Sequence, residues 1–260
     1  MQHSGQGRAK KSLGQHFLTD RSAIARIAAA IPEGADALEI GPGRGAITEA
    51  LLKRVGRLLL IEKDDDLAAM WEQRSESETK LGLLHGDVLQ CLLPAVQERH
   101  PAWIAGNLPY NISGPLSAML FSFRLAGGMV LMYQREVAER IAAEAGNRTY
   151  GGLSVLARHF YDVKRLLVLP PGAFSPPPKV HSAVLLLTPH GREPVCDFDA
   201  LQRTVRQGFA HRRKRISNNF RGEMTADDWA SLSIDSGTRP EQLDYPAWSR
   251  LATFLSNKTA

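Results

Sequence analysis

The chain has 260 residues, of which 43% are hydrophobic and 23% are charged, and its formal net charge is +5. This composition is typical of a globular protein with a large buried core. The polar N-terminus lacks the apolar core of a signal peptide, and no apolar run approaches membrane-spanning length, so we expect a cytoplasmic protein. Cys91 and Cys196 are isolated from each other and from any histidine pattern, which indicates neither a metal site nor a disulfide framework.

The positive charge is concentrated at the two ends of the chain. Residues 1–26 carry a net charge of +4, residues 27–197 a net charge of −2, and residues 198–260 a net charge of +3. A nearly neutral body between basic ends suggests that the ends flank a polyanion while the body carries out chemistry. Solvated basic tails are the alternative, and we favour it for the first ten residues alone.

In chain order, residues 12–20 show no hydrophobic period and are expected to form an ordered loop, after which Thr19 or Asp20 caps a helix that ends at Pro32 and Gly34. Strand and helix patterns then alternate, which predicts an α/β fold with a doubly wound, mostly parallel sheet and helices on both faces. The predicted strands are 36–41, 57–62, 81–85, 102–106 and 128–133, and the predicted helices are 45–54, 64–74, 91–99, 114–123 and 134–145.

The pattern changes towards the C-terminus. A helix is predicted at 152–160, and strands at 165–169 and 182–188. The segment between these two strands is too short for a crossover helix, so we expect the last strand to be antiparallel. A composition shift near 191–197 predicts a boundary between a domain of residues 1–195 and a small all-α domain of residues 196–260. The helices predicted for the second domain are 198–209, 225–232 and 245–255.

Glycines and acids follow the first three strands. Residues 39–46, Glu-Ile-Gly-Pro-Gly-Arg-Gly-Ala, match the glycine fingerprint of dinucleotide-binding sheets, although Pro42 removes a backbone donor that a pyrophosphate needs. A cofactor with an adenosine but no phosphate fits better. Glu62, after the second strand, can accept hydrogen bonds from both ribose hydroxyls, and Asp87, after the third, from the amine of an adenine. Either acid alone is more often a solvated strand-end residue.

The fourth strand leads directly into Asn107-Leu108-Pro109-Tyr110. The Asn107 side-chain oxygen and the Leu108 carbonyl can accept hydrogen bonds from a flat amine, Pro109 holds these acceptors still, and Tyr110 can stack on the ring. None of the four residues is a strong base, a nucleophile or a metal ligand. The run therefore suits positioning a planar aromatic amine, such as a nucleobase, for attack on a bound reagent. A simple proline turn is the alternative.

Two further segments indicate contact with nucleic acid. Phe174 lies at the centre of the proline-dense segment 170–179, which we expect to be a stiff exposed loop, so its ring can stack on a flipped-out base. A lone Phe in a loop is more usually a packing residue. The second segment, residues 212–215, has no acid within four residues on either side. This pattern predicts phosphate contacts, and a solvated helix face is the alternative. Its cationic residues are Arg212, Arg213, Lys214 and Arg215.

Taken together, the motifs resemble the S-adenosylmethionine-dependent RNA adenine N6-dimethyltransferases, specifically the small-subunit ribosomal RNA dimethyltransferase (KsgA/RsmA) family. The resemblance runs from about Lys11 to the C-terminus and rests on several separated motifs. These are Leu13-Gly14-Gln15-His16-Phe17-Leu18, the loop from Glu39 to Gly45, Glu62, Asp87, Asn107 to Tyr110, Phe174 to Val180, and Phe209 to Arg215 with Asn218-Asn219.

The resemblance implies a class I, Rossmann-like methyltransferase with S-adenosyl-L-methionine as cofactor. It also implies dimethylation of two adjacent adenosines in a loop of small-subunit (16S) ribosomal RNA during ribosome biogenesis, by a monomer acting on an immature 30S particle. The family more often has Asn where this chain has His16, so whether that side chain or only its backbone meets the cofactor is open. The implied cofactor residues are His16, Leu18, Gly41, Gly43, Glu62, Asp87, Val88 and Asn107, and the implied base-binding residues are Asn107, Leu108, Pro109, Tyr110 and Phe174.

Two other functions stay open beside small-subunit RNA dimethylation. The same pocket would serve methylation of adenine in large-subunit RNA or in DNA, and a ribosome-assembly factor could keep the cofactor fold for binding alone. A nicotinamide dehydrogenase is the competitor at the level of the fold. It requires phosphate binding and a proton-transfer residue at the fourth strand, and residues 107–110 supply no such residue.

Overall fold

The computed structural model describes Lys10 and residues 15–259. Leu13 and Gly14 of the first motif, Lys11, and the basic residues before Lys10 lie outside the described part. The chain forms two compact units. The first contains the described residues up to Leu116 together with Leu125–Ala138 and Lys164–Pro189, and the second contains Ser117–Arg124, Glu139–Val163 and the residues from His190 onward. The boundary between residues 195 and 196 therefore stays a prediction, and two earlier segments accompany the C-terminal residues.

Strands and helices alternate up to residue 189. In chain order they are β1 (Phe17–Leu18), α1 (Arg21–Ala29), β2 (Asp36–Ile40), α2 (Thr48–Leu52), β3 (Arg57–Glu62), α3 (Asp65–Ser75), β4 (Leu81–His85), α4 (Val88–Arg99), β5 (Trp103–Asn107), α5 (Ser113–Ser122), β6 (Gly128–Gln134), α6 (Arg135–Ala142), α7 (Gly152–Ala157), β7 (Tyr161–Leu169), β8 (Phe174–Ser175) and β9 (Ser182–Pro189). The later helices are α8 (Phe198–Gly208), α9 (Ile216–Asn219), α10 (Ala226–Ser231) and α11 (Tyr245–Thr259).

Seven strands form one sheet in the order β4-β3-β2-β5-β6-β9-β7. The strands from β2 to β6 pair in parallel, and β9 pairs antiparallel with β6, which confirms the predicted sheet with its antiparallel last strand. In the parallel register Ile40 lies opposite both Ile61 and Gly106. The carboxyl ends of β2, β3, β4 and β5 therefore meet at one rim of the sheet.

The sheet is buried because its central strands are continuous apolar runs. Residues 129–133 of β6 are at most 1% exposed, as are Leu38 and Ile40 of β2 and Ile104 of β5. Strands of this kind are typical of a parallel sheet that is covered on both faces. The polar residues Glu62, Asp87 and Asn107 lie where these strands end.

Aspartates begin several of the helices that follow the strands. The Asp64 carboxylate accepts from the backbone of α3, and the Asp87 carboxylate accepts from the backbone of α4. Asp20, rather than Thr19, accepts from the first turn of α1. Because an N-cap must lie at the helix start, each strand-end acid places a helix N-terminus at the rim.

The structure differs from the sequence prediction mainly at element ends. Helix α2 begins later than predicted because the glycine loop extends through Gly45, whose φ is +86°. Strand β7 begins at Tyr161, four residues before the predicted start. The predicted loop of residues 12–20 contains β1, which pairs antiparallel with β8 in a two-stranded ribbon. No helix in the described part of the chain is long and apolar enough to cross a membrane.

Candidate active site

A cleft opens at the rim of the sheet, within the first unit, and all but one of the predicted cofactor and base-binding residues line it. Its volume is about 480 Å³, a size typical of small-molecule sites. The predicted residues that line the cleft are His16, Leu18, Gly41, Gly43, Glu62, Asp87, Val88, Asn107, Leu108, Pro109 and Tyr110. The fold thus brings five separated parts of the chain into one site.

The glycine loop between β2 and α2 is held from two sides. Gly41 and Gly43 have φ values of +64° and +57°, in the left-handed region that favours glycine. The Gly43 N–H donates to Glu62 Oε2 at 3.1 Å, and the Trp71 indole N–H donates to the Gly43 carbonyl at 2.9 Å. The loop is therefore fixed against the end of β3 and against α3 while its residues line the cleft.

Glu62 is only 6% exposed, yet its carboxylate is well hydrogen-bonded. Oε1 accepts from the backbone N–H groups of Lys63 and Asp64, both at 2.9 Å, and Oε2 accepts from Gly43. Burial raises the pKa of Glu62, and these backbone donors oppose the rise. A carboxylate has about four acceptor positions, so Oε2 keeps one for a ribose hydroxyl. Glu62 therefore has room to accept from one ribose hydroxyl, whereas the sequence predicted that it accepts from both.

Asp87 lines the cleft, and its carboxylate is shared between two groups. Its Oδ1 accepts from the Leu89 N–H at 2.9 Å, and its Oδ2 pairs with the Lys63 ammonium at 2.8 Å. The Lys63 bond and the Leu89 bond hold the pKa of Asp87 below its usual range. The side chain is an ionised acceptor at neutral pH, and a ligand amine that binds it must share it with Lys63. Val88, the next residue, is buried at the start of α4.

The Asn107 side chain has one hydrogen-bonded end and one end without a partner. Its Nδ2 donates to the His16 carbonyl at 2.9 Å. Its Oδ1 is buried, and it has no hydrogen-bond partner among the residues that the structure describes. Leaving a buried acceptor unpaired costs about 1–3 kcal/mol, so this atom retains an unused capacity to accept a hydrogen bond.

Residues 108–110 continue the rim beyond β5. The Leu108 N–H donates to the Met132 carbonyl of β6 at 3.1 Å, and Pro109 has a φ of −59°. These constraints hold the backbone beside Asn107 to the sheet. The Tyr110 hydroxyl is hydrogen-bonded to Ser182 Oγ at 2.8 Å, and burial raises the pKa of this phenol, so it stays neutral.

His16 contributes both its backbone and its ring to the cleft. The carbonyl accepts from Asn107, and ring Nδ1 lies 2.8 Å from the Pro176 carbonyl, so Nδ1 must carry a proton. The ring lies along the face of Tyr110, with 5.9 Å between the centroids and 24° between the planes. The sequence did not decide whether the side chain or only the backbone of His16 acts at the site. In the structure, the backbone carbonyl of His16 makes the contact with Asn107.

Phe174 does not line the cleft, contrary to the prediction. Its ring is 3% exposed and belongs to the hydrophobic core that also contains Leu18, Leu169 and Val184. The physical reason is the ribbon of β1 and β8, in which Phe174 pairs with Leu18. The proline-dense segment is exposed on either side of this pairing but is turned inward at Phe174. Ser175 lines the cleft instead, so the arrangement does not support base stacking by Phe174.

Glu39 lines the cleft, although the sequence analysis assigned it no function. It is 1% exposed, and its Oε2 has no hydrogen-bond partner within the described residues. Burial raises the pKa of Glu39 to about 8, the nearby Thr48 hydroxyl opposes the rise, and the negative charge of Glu62 adds to it. The sequence held the signal, since an acid within the otherwise apolar run of residues 37–40 indicates a buried carboxyl.

The second unit carries the predicted RNA-binding residues in the turn between α8 and α9. Residues 213–215 are exposed, and the described part of the chain offers them no ion pair. Arg212 differs, because its guanidinium donates to the Arg148 carbonyl and lies 3.9 Å from Glu241 Oε2. The local charge pattern did not reveal this acid, which is distant in sequence. Arg212 therefore has partners within the protein, whereas residues 213–215 are available to phosphates.

The raised pKa of Glu39 predicts a pH-dependent cost to folding. Between 4.5, the usual pKa of a Glu carboxyl, and about 8, folded Glu39 holds a proton that the unfolded chain has released, so stability falls as pH rises through this window. Glu39→Gln removes the titration. We expect the difference in the free energy of unfolding between Glu39→Gln and the wild type, measured with urea, to shift in favour of the variant by a few kcal/mol from pH 5 to pH 8. Each unit of pKa shift corresponds to roughly 1.4 kcal/mol. An equal difference at both pH values would contradict the burial of an ionisable Glu39, and Glu72→Gln, an exposed carboxyl of α3, is the control.

Comparison with known proteins places this geometry in a family. The model for the family described as ribosomal RNA adenine dimethylase matches residues 6–257. Proteins named ribosomal RNA small subunit methyltransferase A from Legionella pneumophila and Pseudomonas aeruginosa are each 41% identical to the chain, over 99% and 96% of it and over 100% and 96% of their own lengths. One from Coxiella burnetii is 38% identical over 95% of the chain and 98% of its own length.

The solved structures agree with these sequence matches. A dimethyladenosine transferase from Plasmodium falciparum superposes with a TM-score of 0.80 at 26% identity, covering 94% of this chain and 98% of that one. The 23S rRNA methyltransferase ErmE superposes with a TM-score of 0.66 at 20% identity, covering 92% and 99%, and shows the same fold. The predicted Rossmann-like methyltransferase fold is thereby confirmed, and the chain belongs to the ribosomal RNA adenine dimethylase family.

Proposed function

We propose that the chain transfers methyl groups from S-adenosylmethionine to the N6 amine of two adjacent adenosines in a loop of small-subunit (16S) ribosomal RNA. The product of two transfers to one base is N6,N6-dimethyladenosine. Family membership supports the reaction class, and the names of the relatives at 38–41% identity support the small subunit as the source of the RNA. The observation that carries the proposal is the buried, unpaired Oδ1 of Asn107 in a cleft that Glu62 and Asp87 also line.

The cleft suits a cofactor that contains adenosine but no phosphate. Glu62 Oε2 has capacity for a ribose hydroxyl, Asp87 is an ionised acceptor for an amine, and Pro42 offers no N–H to a pyrophosphate. Glu39 adds a second buried polar group, with an oxygen that has no partner within the described residues, to the same cleft. When it is bound, S-adenosylmethionine supplies an electrophilic sulfonium methyl group.

The residues after β5 supply alignment rather than proton transfer. An adenine amine is a poor nucleophile because its lone pair is delocalised into the ring. If Asn107 Oδ1 and the Leu108 carbonyl each accept one of its hydrogens, the nitrogen becomes more tetrahedral and its lone pair is free to attack. Positioning of this kind is worth roughly 7–11 kcal/mol of barrier in well-aligned cases. The methylated nitrogen is acidic and loses its proton to water, so no general base is required.

Tyr110 is proposed to hold the base by stacking. Its hydroxyl is tied to Ser182 and its ring borders the cleft, so the ring orientation is set before the base arrives. An aromatic face near a sulfonium also contributes about 0.5–2 kcal/mol of cation–π stabilisation.

Since the second transfer starts from an amine with one hydrogen, the pocket must accommodate a methyl group in place of one hydrogen bond.

Two other functions remain candidates for experiment. The fold shared with ErmE would serve adenine methylation in large-subunit RNA, but the identity to that protein is 20%, well below that to the small-subunit relatives. A pure assembly factor would not need the unpaired acceptor at Asn107. We infer a monomer that acts on an immature 30S particle in the cytoplasm, in line with a role in ribosome biogenesis.

Incubation with a labelled cofactor tests the proposal. The protein is mixed with naked 16S RNA, immature small subunits or large-subunit RNA, and the nucleosides are then analysed. Label in N6,N6-dimethyladenosine from small-subunit material supports the proposal. Label only in large-subunit RNA, or cofactor binding without transfer to any RNA, would support one of the two other functions instead.

Replacing Asn107 separates alignment from cofactor binding. We expect Asn107→Ala to lower kcat by roughly 10²–10³, the usual effect of removing one positioned hydrogen-bonding group, while the Kd for the cofactor changes by less than about tenfold. Single-turnover kinetics and calorimetry measure the two quantities. Equal losses in both would show that Asn107 mainly builds the cofactor site. Asn257→Ala, at an exposed position in α11, is the matched control.

The exposed cations of the second unit predict the salt dependence of RNA binding. Arg213→Gln with Lys214→Gln should weaken binding and reduce the slope of log K against log salt by about 1.4, because each phosphate contact on a single strand contributes about 0.7. Arg203→Gln with Arg206→Gln removes the same charge from exposed positions of α8 and should leave the slope unchanged. Equal slopes for both double variants would mean that residues 213 and 214 do not contact phosphates.

A further inference from the structure

The backbone of His16 is fixed by side-chain bonds that begin at Asp64. The Gln15 amide Nε2 donates to Asp64 Oδ2 at 2.8 Å, and the Gln15 Oε1 accepts from the Lys10 N–H at 2.8 Å. Both ends of the Gln15 amide are therefore used, and its orientation is determined. The next residue along the chain is His16, whose carbonyl accepts from Asn107.

Asp64 is a rigid anchor for this segment. Its side chain is 2% exposed, and it caps α3 through the N–H groups of Asp66 and Leu67. Lys10 Nζ lies 2.6 Å from the same carboxylate. Burial opposes ionisation of Asp64, but the bonds from Lys10 and Gln15 bring its pKa below the usual range. The Asp64 N–H also donates to Glu62, which ties the anchor to the cofactor side of the cleft.

The segment that carries His16 is also held on its other side. The Thr19 N–H donates to the Ala173 carbonyl at 2.8 Å, and Phe17 pairs with Ser175 in the ribbon of β1 and β8. The Phe17 ring lies so close to the glycine loop that a Cβ at Gly43 would be 3.0 Å from it. The Gln15 bond to Asp64 holds the N-terminal side of His16, whereas the His16 ring bond to Pro176 and the pairing of Phe17 hold its C-terminal side.

From these contacts we propose that Gln15 is a positioning residue for Asn107: bonded to Asp64, it holds the His16 carbonyl where it binds Asn107 Nδ2 and so leaves Oδ1 as the free acceptor. An amide can rotate to exchange its donor and acceptor ends, and only a fixed carbonyl at Nδ2 selects one of the two orientations. The inference rests on the proposed use of Oδ1 to bind the target amine. It assigns to Gln15 an effect on turnover without a contact with the reacting atoms.

Gln15→Ala tests the link by activity and by NMR. In the wild type, the Asn107 side-chain amide should give one proton resonance shifted by the bond to His16, and in Gln15→Ala this shift should shrink. The kcat should fall at least about tenfold, while the Kd for S-adenosylmethionine changes less than about threefold. An unchanged Asn107 resonance, or a loss confined to cofactor affinity, would overturn the proposal. Because the NMR measurement needs no RNA, it is independent of whether the RNA substrate is correctly assigned.

Two variants separate the effect of the bond between Gln15 and Asp64 from the effects of the helix cap and of charge. Asp64→Ser keeps an N-cap oxygen on α3 but is too short to reach Gln15, so it should reproduce the loss of kcat and the NMR change of Gln15→Ala. Asp66→Ala removes the other carboxylate near Lys10. The kcat of this variant should stay within about twofold of the wild-type value, and its Asn107 resonance should not shift. Loss of turnover in Asp66→Ala equal to that in Gln15→Ala would overturn the proposal.

Discussion

The proposed site depends on the two ends of the Asn107 side-chain amide. Asn107 Nδ2 is bound to the His16 carbonyl, and Oδ1 is buried without a partner among the described residues. A buried polar atom is costly unless it is paired, so a fold that leaves this acceptor open retains it at some expense in stability. Under the proposed function, the amine of the target base supplies the missing donor and is the nucleophile of the transfer. The catalysis that we propose is therefore alignment of the amine, and residues 107–110 include no strong base or nucleophile.

The same strand ends that build the fold also build the site. Asp64 and Asp87 cap helices at the rim, and Glu62 holds the glycine loop through Gly43, so each acid has a structural partner before any ligand binds. This arrangement fixes the positions of the carboxylates and limits their free acceptor capacity. Glu62 can take one further donor, and Asp87 must share its charge with Lys63. Ligand recognition at the rim is therefore set by the few acceptor positions that the fold leaves unfilled.

Much of this could be predicted from local sequence, because glycines and acids directly after apolar runs fall at strand ends, and parallel strands bring those ends together. The short connection at 170–179 was enough to predict the antiparallel last strand. What local pattern could not give were pairings between distant segments. Phe174 is buried because β8 pairs with β1, and Arg212 is occupied because Glu241 lies beside it. The burial of Glu39 was visible as an acid within an apolar strand, but its unpaired oxygen depends on the packing of the whole sheet.

A binding cycle between Asn107 and the target amine tests the central claim most directly. RNA in which the modified adenosines are replaced by purine, which lacks the amine, is compared with unmodified RNA for binding to the wild type and to Asn107→Ala in the presence of the cofactor. The account predicts a coupling free energy of about 1 kcal/mol or more, since the loss of the amine matters only when Oδ1 is there to accept it. Equal weakening of both proteins by the purine substitution would show that Asn107 does not bind the amine.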